Sequence, residues 1–97
     1  MTPSLFFNER ESSTLVEQYQ NQDYHQFSYT IIRKTLETKN YDKHEPLIVN
    51  TLMEIMNNVL DNFKQLEADP EAILKLSDGL YKLLLQVECV EANPLAN

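Results

Sequence analysis

Residues 47–66 decide the fold of this chain, and they read LIVNTLMEIMNNVLDNFKQL. Large apolar side chains recur in them at intervals of three and four, which is the spacing of one face of an α-helix. They form two neighbouring stripes: Ile48, Leu52, Ile55, Val59, Phe63 and Leu66 in the first, and Val49, Met53, Met56 and Leu60 in the second. The segment therefore predicts a helix with a wide apolar face. Asp42 is its predicted N-terminal cap, with Glu45 three residues later and Pro46 in the first turn.

A second strongly apolar helix is predicted over residues 70–92. Asp69, Pro70 and Glu71 give it a cap, a favourable first residue and an acidic first turn. Its apolar positions are Ile73, Leu76, Leu80, Leu83, Val87 and Val90, and Leu74, Tyr81, Leu84 and Leu85 widen that face. Because glycine costs a helix about 1 kcal/mol relative to alanine, we expect this helix to kink or divide at Gly79.

The first half of the chain predicts two shorter helices. The first begins at Asn8 or at Thr14, since each is followed three residues later by a glutamate, as a capping box requires. The second begins at Asp23 and ends at Lys39 and Asn40, because a basic residue suits a helix C-terminus and asparagine tolerates the left-handed conformation that follows.

Together these segments predict an all-α fold. We expect a small four-helix bundle, or five helices if the last divides at Gly79, with the antiparallel hairpin of residues 47–66 and 70–92 at its centre. Residues 1–97 form a single domain in this scheme. Residues 1–7 are a terminal arm whose Leu5, Phe6 and Phe7 dock on the bundle, and residues 93–97 are a short tail. The single glycine agrees with a helical fold, because many-stranded folds need more turn residues.

Charge and composition exclude several classes of function. The net charge is −7, from 8 lysines and arginines against 15 acidic residues, so direct contact with nucleic acid or with an anionic membrane is not expected. No apolar run approaches the roughly 18 residues of a membrane-spanning helix. The lone Cys89 cannot form an internal disulfide, and the first residues lack the pattern of a secretion signal, so we expect a cytoplasmic protein.

The sequence predicts no catalytic residue, no metal site and no cofactor. His25 and His44 are the two histidines, and neither has a second histidine or a cysteine at the spacing that metal ligands use. One glycine cannot build a phosphate-binding loop. An enzyme is therefore the least favoured of the functional classes.

The surplus of apolar residues in the second half favours protein–protein interaction. The first two helices supply about eight large apolar side chains against about twenty from the last two, and large uncovered apolar surfaces usually mark interfaces. The same surplus is also explained if the hairpin lies at the bundle centre, where each helix has two neighbours. The candidate partner-binding residues are Met53, Met56, Leu60, Tyr81, Leu84, Leu85 and Glu88.

We therefore expect a regulatory or adaptor protein that binds another protein and forms a homodimer. The alternative is an acidic inhibitor or nucleic-acid mimic, of phage or immunity type, that binds a basic protein. It would display the carboxylates of Glu54, Asp61, Glu67, Asp69, Asp78, Glu88 and Glu91. A salt-sensitive complex would support the mimic, because screening weakens charge pairs and leaves apolar contacts intact.

Self-association can be measured directly. Analytical ultracentrifugation of the full chain is expected to show a dimer at micromolar concentration, because the surplus apolar surface would be buried between two copies. A strictly monomeric chain over the same concentration range would contradict the homodimer.

Overall fold

A computed structural model of the protein describes residues 4–42, 45–63 and 69–88. Four α-helices make up most of these residues, and no strand occurs among them. The helices are α1 (Glu9–Gln20), α2 (Tyr24–Lys39), α3 (Pro46–Leu60) and α4 (Pro70–Gln86). The predicted all-α four-helix bundle is confirmed.

The ends of α1 and α2 are set by the side chains that the sequence indicates. The capping box of α1 forms at Asn8, whose side chain accepts from the Glu11 amide at 2.8 Å, while Glu11 accepts from the Asn8 amide at 2.9 Å. Thr14 lies inside this helix, so Asn8 is the correct alternative. The Asp23 side chain caps α2, and Asn40 ends it in the left-handed conformation at φ 60°.

The third helix has a different cap from the predicted one and ends earlier than predicted. Its cap is Glu45 rather than Asp42, because the Glu45 carboxylate reaches the Leu47 amide at 3.2 Å and Pro46 takes the first helical position. The helix ends at Leu60 and a turn follows over residues 61–63, so the predicted end at residue 66 is wrong. Asparagine and aspartate over this stretch weaken a helix because their side chains compete for the backbone.

The fourth helix runs unbroken through Gly79 and ends earlier than predicted. Gly79 has no positive φ, so helical geometry continues across it, and the expected division at this residue does not occur. The helix ends at Gln86 instead of residue 92, and Val87 takes an extended conformation in which its carbonyl accepts from the Lys39 ammonium group. A contact from α2 therefore holds the end of α4. The predicted tail, residues 93–97, lies outside the described residues.

The centre of the bundle is α2. This helix packs against α1, α3 and α4, and α1 also packs against α4, whereas α3 and α4 are not among the described helix pairs in extensive backbone contact. The expectation that α3 and α4 form the central hairpin is therefore wrong. A count of apolar residues did not predict this arrangement, because it does not say which neighbours a helix packs against.

The core combines one apolar cluster with four small buried hydroxyl residues. The cluster draws Leu15, Val16 and Tyr19 from α1, Phe27, Ile31, Ile32 and Leu36 from α2, Ile48, Leu52, Met56 and Leu60 from α3, and Ile73, Leu74, Leu80, Tyr81 and Leu84 from α4. Thr35 and Ser77 bond to carbonyls one turn earlier in their own helices, and Ser12 bonds to the Phe7 carbonyl. Ser28 is fully buried, and its hydroxyl has no partner among the described residues.

The chain before α1 is tied to α4 through Asp78. The Ser4 hydroxyl donates to one Asp78 carboxylate oxygen, and the Leu5 amide donates to the other at 3.1 Å. The Ser4 oxygen in turn accepts from the amides of Phe6 and Phe7, each at 3.1 Å. One carboxylate therefore fixes the course of four successive residues.

Two of the three predicted docking residues pack on the bundle. Phe6 and Phe7 lie against the Tyr81 ring, with centroids 5.3 and 5.5 Å away, and Phe7 is buried. Leu5 is 85% exposed, so its predicted docking is wrong. The Tyr81 hydroxyl shares a hydrogen bond of 2.7 Å with Thr38, so Tyr81 joins the arm to both α4 and α2.

None of the helices in the described ranges combines the length and apolar character needed to span a bilayer.

Gly79 offers a direct test of the unbroken fourth helix. A Cβ atom placed on Gly79 meets no atom of a neighbouring element within 4 Å, so alanine fits without displacing anything. Gly79→Ala is expected to raise the free energy of unfolding by about 0.5–1 kcal/mol, because alanine has the higher helix propensity. Urea denaturation measures the change. Gly79→Pro is the control and should lower stability by about 3 kcal/mol or more. A lower stability for the alanine variant would contradict a continuous helix here.

Candidate functional site

An apolar groove lies between the end of α3 and the outer side of α4. Its volume is about 440 Å³. It is lined by Val59 and Phe63 from α3 and the turn after it, and by Ala72, Lys75, Leu76, Gly79, Leu80 and Leu83 from α4. Lys75 is the single ionisable side chain in this lining, so the groove suits apolar contact and lacks the paired acid and base that proton transfer requires.

Helix periodicity explains why these α4 residues share one side. Ala72, Leu76, Gly79 and Leu83 follow one another at intervals of four, three and four. Ser77 and Leu84 lie on the buried face. The fourth helix therefore has two apolar faces, one in the core and one along the groove. Gly79 at the middle of the groove face adds no side chain, and this keeps the floor of the groove open.

Exposed apolar side chains mark the rim of the groove. Leu83 is 39% exposed and Phe63 is 38% exposed. The described residues contain two other exposed large apolar side chains, Leu5 and Leu47, and neither lines the groove. Two of the four exposed large apolar side chains in the described residues therefore lie at the groove.

The position of Phe63 is fixed from the first helix. The Tyr19 hydroxyl donates to the Phe63 carbonyl at 2.6 Å, across 44 residues of sequence. The Tyr19 ring packs edge-on against Tyr24 and Phe27, with centroids 5.3 and 5.1 Å away. Burial, and to a smaller extent the neighbouring Tyr24, raises the pKa of the Tyr19 phenol above its ordinary value of 10.0. The phenol is consequently a neutral donor at physiological pH.

Two lysines follow the groove along α4. Lys75 lines it, and Lys82 lies seven residues later, which places both side chains on the same side of the helix. The Lys75 ammonium lies 3.7 Å from the Glu71 carboxylate, and both groups are more than half exposed, so this pair is weak. The groove therefore has a basic edge in a chain that is acidic as a whole.

The predicted partner-binding residues do not gather at this surface. Four of them, Met56, Leu60, Tyr81 and Leu84, are core residues with at most 5% exposure. Met53 and Leu85 are partly buried against the core, and Glu88 is exposed. A partner could reach the four core residues only by opening the bundle, and they are left out of the proposed site.

The two apolar stripes predicted for α3 and for α4 do not separate into one buried and one exposed stripe. In the first stripe of each helix, Leu52 and Ile73 are buried, whereas Val59 and Leu83 line the groove. The amphipathic period shows that the stripes exist, and the direction of the neighbouring helices decides which of their residues are buried. The small residues Ala72 and Gly79 beside the basic pair on one side of α4 were the available signal.

The described residues also bear on a metal site and on the nucleic-acid mimic. Within residues 4–42, 45–63 and 69–88, no three histidine, cysteine, aspartate or glutamate side chains lie together as a metal site would need. His25 is exposed, while His44 and Cys89 lie outside the described ranges. Of the carboxylates assigned to the nucleic-acid mimic, Asp78 is engaged with the arm, and Glu67 and Glu91 are not described.

Tyr19→Phe tests the tether between the first helix and the groove. Loss of the hydroxyl should lower the free energy of unfolding by about 0.5–1.5 kcal/mol and broaden the Phe63 resonances in NMR spectra. Because the pKa of the Tyr19 phenol is higher in the folded than in the unfolded chain, its contribution to stability is complete below about pH 10 and disappears as pH rises through the folded value.

Tyr29→Phe is the matched control, since no hydrogen bond ties the Tyr29 hydroxyl to another described residue. Equal stability of the Tyr19→Phe variant and the native chain at neutral pH would contradict the tether.

Comparison with known proteins gives no family for this chain. No protein-family model, curated protein or solved structure matches it. The function is therefore inferred from the residues and geometry of the chain itself.

Proposed function

We propose that this chain is a non-enzymatic protein-interaction module, a regulatory or adaptor protein, whose α3–α4 groove receives the apolar face of an amphipathic helix from a partner protein. The observation that carries the proposal is the open apolar groove with Phe63 and Leu83 exposed at its rim. A cytoplasmic setting is part of the proposal, since the lone Cys89 makes no internal disulfide.

The dimensions of the groove support a helix as the occupant. Two helices form its walls, and an amphipathic helix presents anchors at i, i+3, i+4 and i+7 to such a groove. Each large apolar side chain that becomes fully buried contributes roughly 1.5–3 kcal/mol, so a few anchors support a reversible complex. A stable dimer commonly buries about 800 Å² on each partner, and the short apolar lining favours a single helix over so large an interface.

The positive charge beside the groove indicates which kind of partner helix would bind there. Lys75 and Lys82 flank the apolar lining on the α4 side, so carboxylates beside the anchors of the bound helix would lie opposite them. Such exposed pairs add little affinity individually, but they orient the helix and speed association. The proposed partner therefore carries an acidic amphipathic helix.

A second copy of the chain fits this groove less well. If two α4 helices packed antiparallel about Gly79, Lys75 and Lys82 of one copy would lie along the same edge as those of the other. Like charges in that arrangement oppose association. The homodimer expected from sequence stays a prediction, and this arrangement of charge favours a different, acidic partner.

A designed peptide tests the groove. The probe is a helical peptide with leucines at i, i+3 and i+7 and glutamates flanking them, titrated into the full chain and followed by NMR. Amide shifts are expected to concentrate at Phe63, Leu76, Gly79 and Leu83. Leu83→Glu should weaken binding at least tenfold, because it places a carboxylate in the apolar contact and beside the glutamates of the peptide.

The matched control is Leu47→Glu, which makes the same change at a side chain that is 54% exposed and outside the groove. Both variants should remain folded because neither residue is buried. Replacing the flanking glutamates of the peptide by lysines should also weaken binding. Undiminished binding to the Leu83→Glu variant would contradict the groove as the site, and dimer formation lost in Leu83→Glu alone would identify a second copy as the occupant.

A further inference from the structure

A polar cleft of about 400 Å³ lies between α1 and α2, on a different surface from the apolar groove. Arg10 and Thr14 line it from α1, and Tyr29, Arg33 and Lys34 line it from α2. None of these side chains lines the apolar groove, so the proposed function does not involve them.

The cleft gathers positive charge in an acidic protein. Arg10 and Arg33 are the two arginines of the sequence, and both line this one cleft. Lysines and arginines outnumber carboxylates three to two among the lining residues, whereas acidic residues outnumber basic ones 15 to 8 in the whole chain. The lining of this cleft therefore carries a small excess of positive charge, which favours an anion.

Contacts between α1 and α2 join the two walls of the cleft. The Lys34 ammonium lies 3.1 Å from the Glu11 carboxylate, and the Thr30 hydroxyl donates to the Gln18 side chain at 2.9 Å. These two contacts fix the register of α1 against α2. Arg10 lines the wall that α1 forms, and Arg33 lines the wall that α2 forms.

The two carboxylates that line the cleft, Glu11 and Glu37, already have partners. Glu11 accepts from Lys34 and from the Asn8 amide. Neither guanidinium has a hydrogen-bond or ion-pair partner among the described residues, and the same holds for the Tyr29 hydroxyl. Within the described part of the chain, two permanently charged planar donors and one hydroxyl therefore line the cleft without a protein acceptor.

From this arrangement we infer that the α1–α2 cleft binds a phosphate monoester, with Arg10 and Arg33 as its charged contacts. A phosphate monoester carries about −1.5 to −2 charges at neutral pH and three acceptor oxygens, which match two guanidinium groups better than a single carboxylate does. Arginine clusters recognise phosphorylated peptides by the same chemistry. The phosphate is supplied by a phosphorylated side chain of a peptide or by a small phosphorylated compound.

NMR titration of the full chain at constant ionic strength tests the site. The probes are inorganic phosphate, a phosphoserine peptide and the same peptide without phosphate. Saturable shifts of the Arg10, Tyr29 and Arg33 signals are expected with inorganic phosphate and with the phosphoserine peptide. For the peptide they should strengthen as pH rises through the second ionisation of its phosphate at about pH 6. Tighter binding of the phosphopeptide than of inorganic phosphate identifies a peptide source, and equal affinity identifies a small compound.

Charge-neutralising variants separate the site from general attraction. Arg33→Gln and Arg10→Gln should each weaken phosphate binding at least tenfold. Lys82→Gln removes the same charge from an exposed residue of α4 and should leave phosphate binding unchanged. Equal shifts with chloride, or the same small loss in all three variants, would overturn the inference. Thermal unfolding of each variant confirms that the fold is intact.

Discussion

The packing of α2 against the three other helices is the constraint on which the rest of the structure depends. Phe27, Ile31 and Ile32 are fully buried on this helix, and Ser28 and Thr35 lie among them with no exposure. The small hydroxyl residues allow helices to approach from several sides, which a continuous row of leucines would prevent. The second helix, Tyr24–Lys39, is therefore the central helix of the bundle, although it is less apolar than α3.

The central position of α2 leaves the α3–α4 flank open. The third helix packs mainly on α2, so its Val59 side and the outer side of α4 meet only across a groove. An apolar surface of this kind remains because no helix of the described chain covers it. The proposed interaction site is thus a consequence of bundle topology and needs no separate structural element.

Two long-range contacts keep the surroundings of the groove in place. Tyr19 holds the Phe63 carbonyl at the end of α3, and Asp78 holds the arm from Ser4 onward against α4. The arm contacts Asp78 and Tyr81 of α4, and neither of these residues lines the groove. The two arginines line the cleft between α1 and α2, and the molecule therefore presents an apolar site and a cationic site on different helix pairs.

The sequence by itself determined the fold class and most of the helix starts. The capping side chains of Asn8 and Asp23 and the left-handed Asn40 act through neighbours within about four residues, so local patterns suffice to locate them. Asp69 takes the predicted cap position of α4 without a side-chain hydrogen bond, and Pro70 begins the helix there. The end of α4 was not predicted because a distant contact holds it, the bond from Lys39 to Val87. The end of α3 was placed too late because the apolar period was followed past the asparagine and aspartate residues that weaken the helix. The same holds for the site: periodicity showed that α3 and α4 each carry two apolar stripes, and only the packing of α2 against both helices decided which residues of those stripes are buried. Met56 and Leu84 lie in the core and Val59 and Leu83 along the groove because the direction of a helical face depends on its neighbours, which a single sequence does not specify.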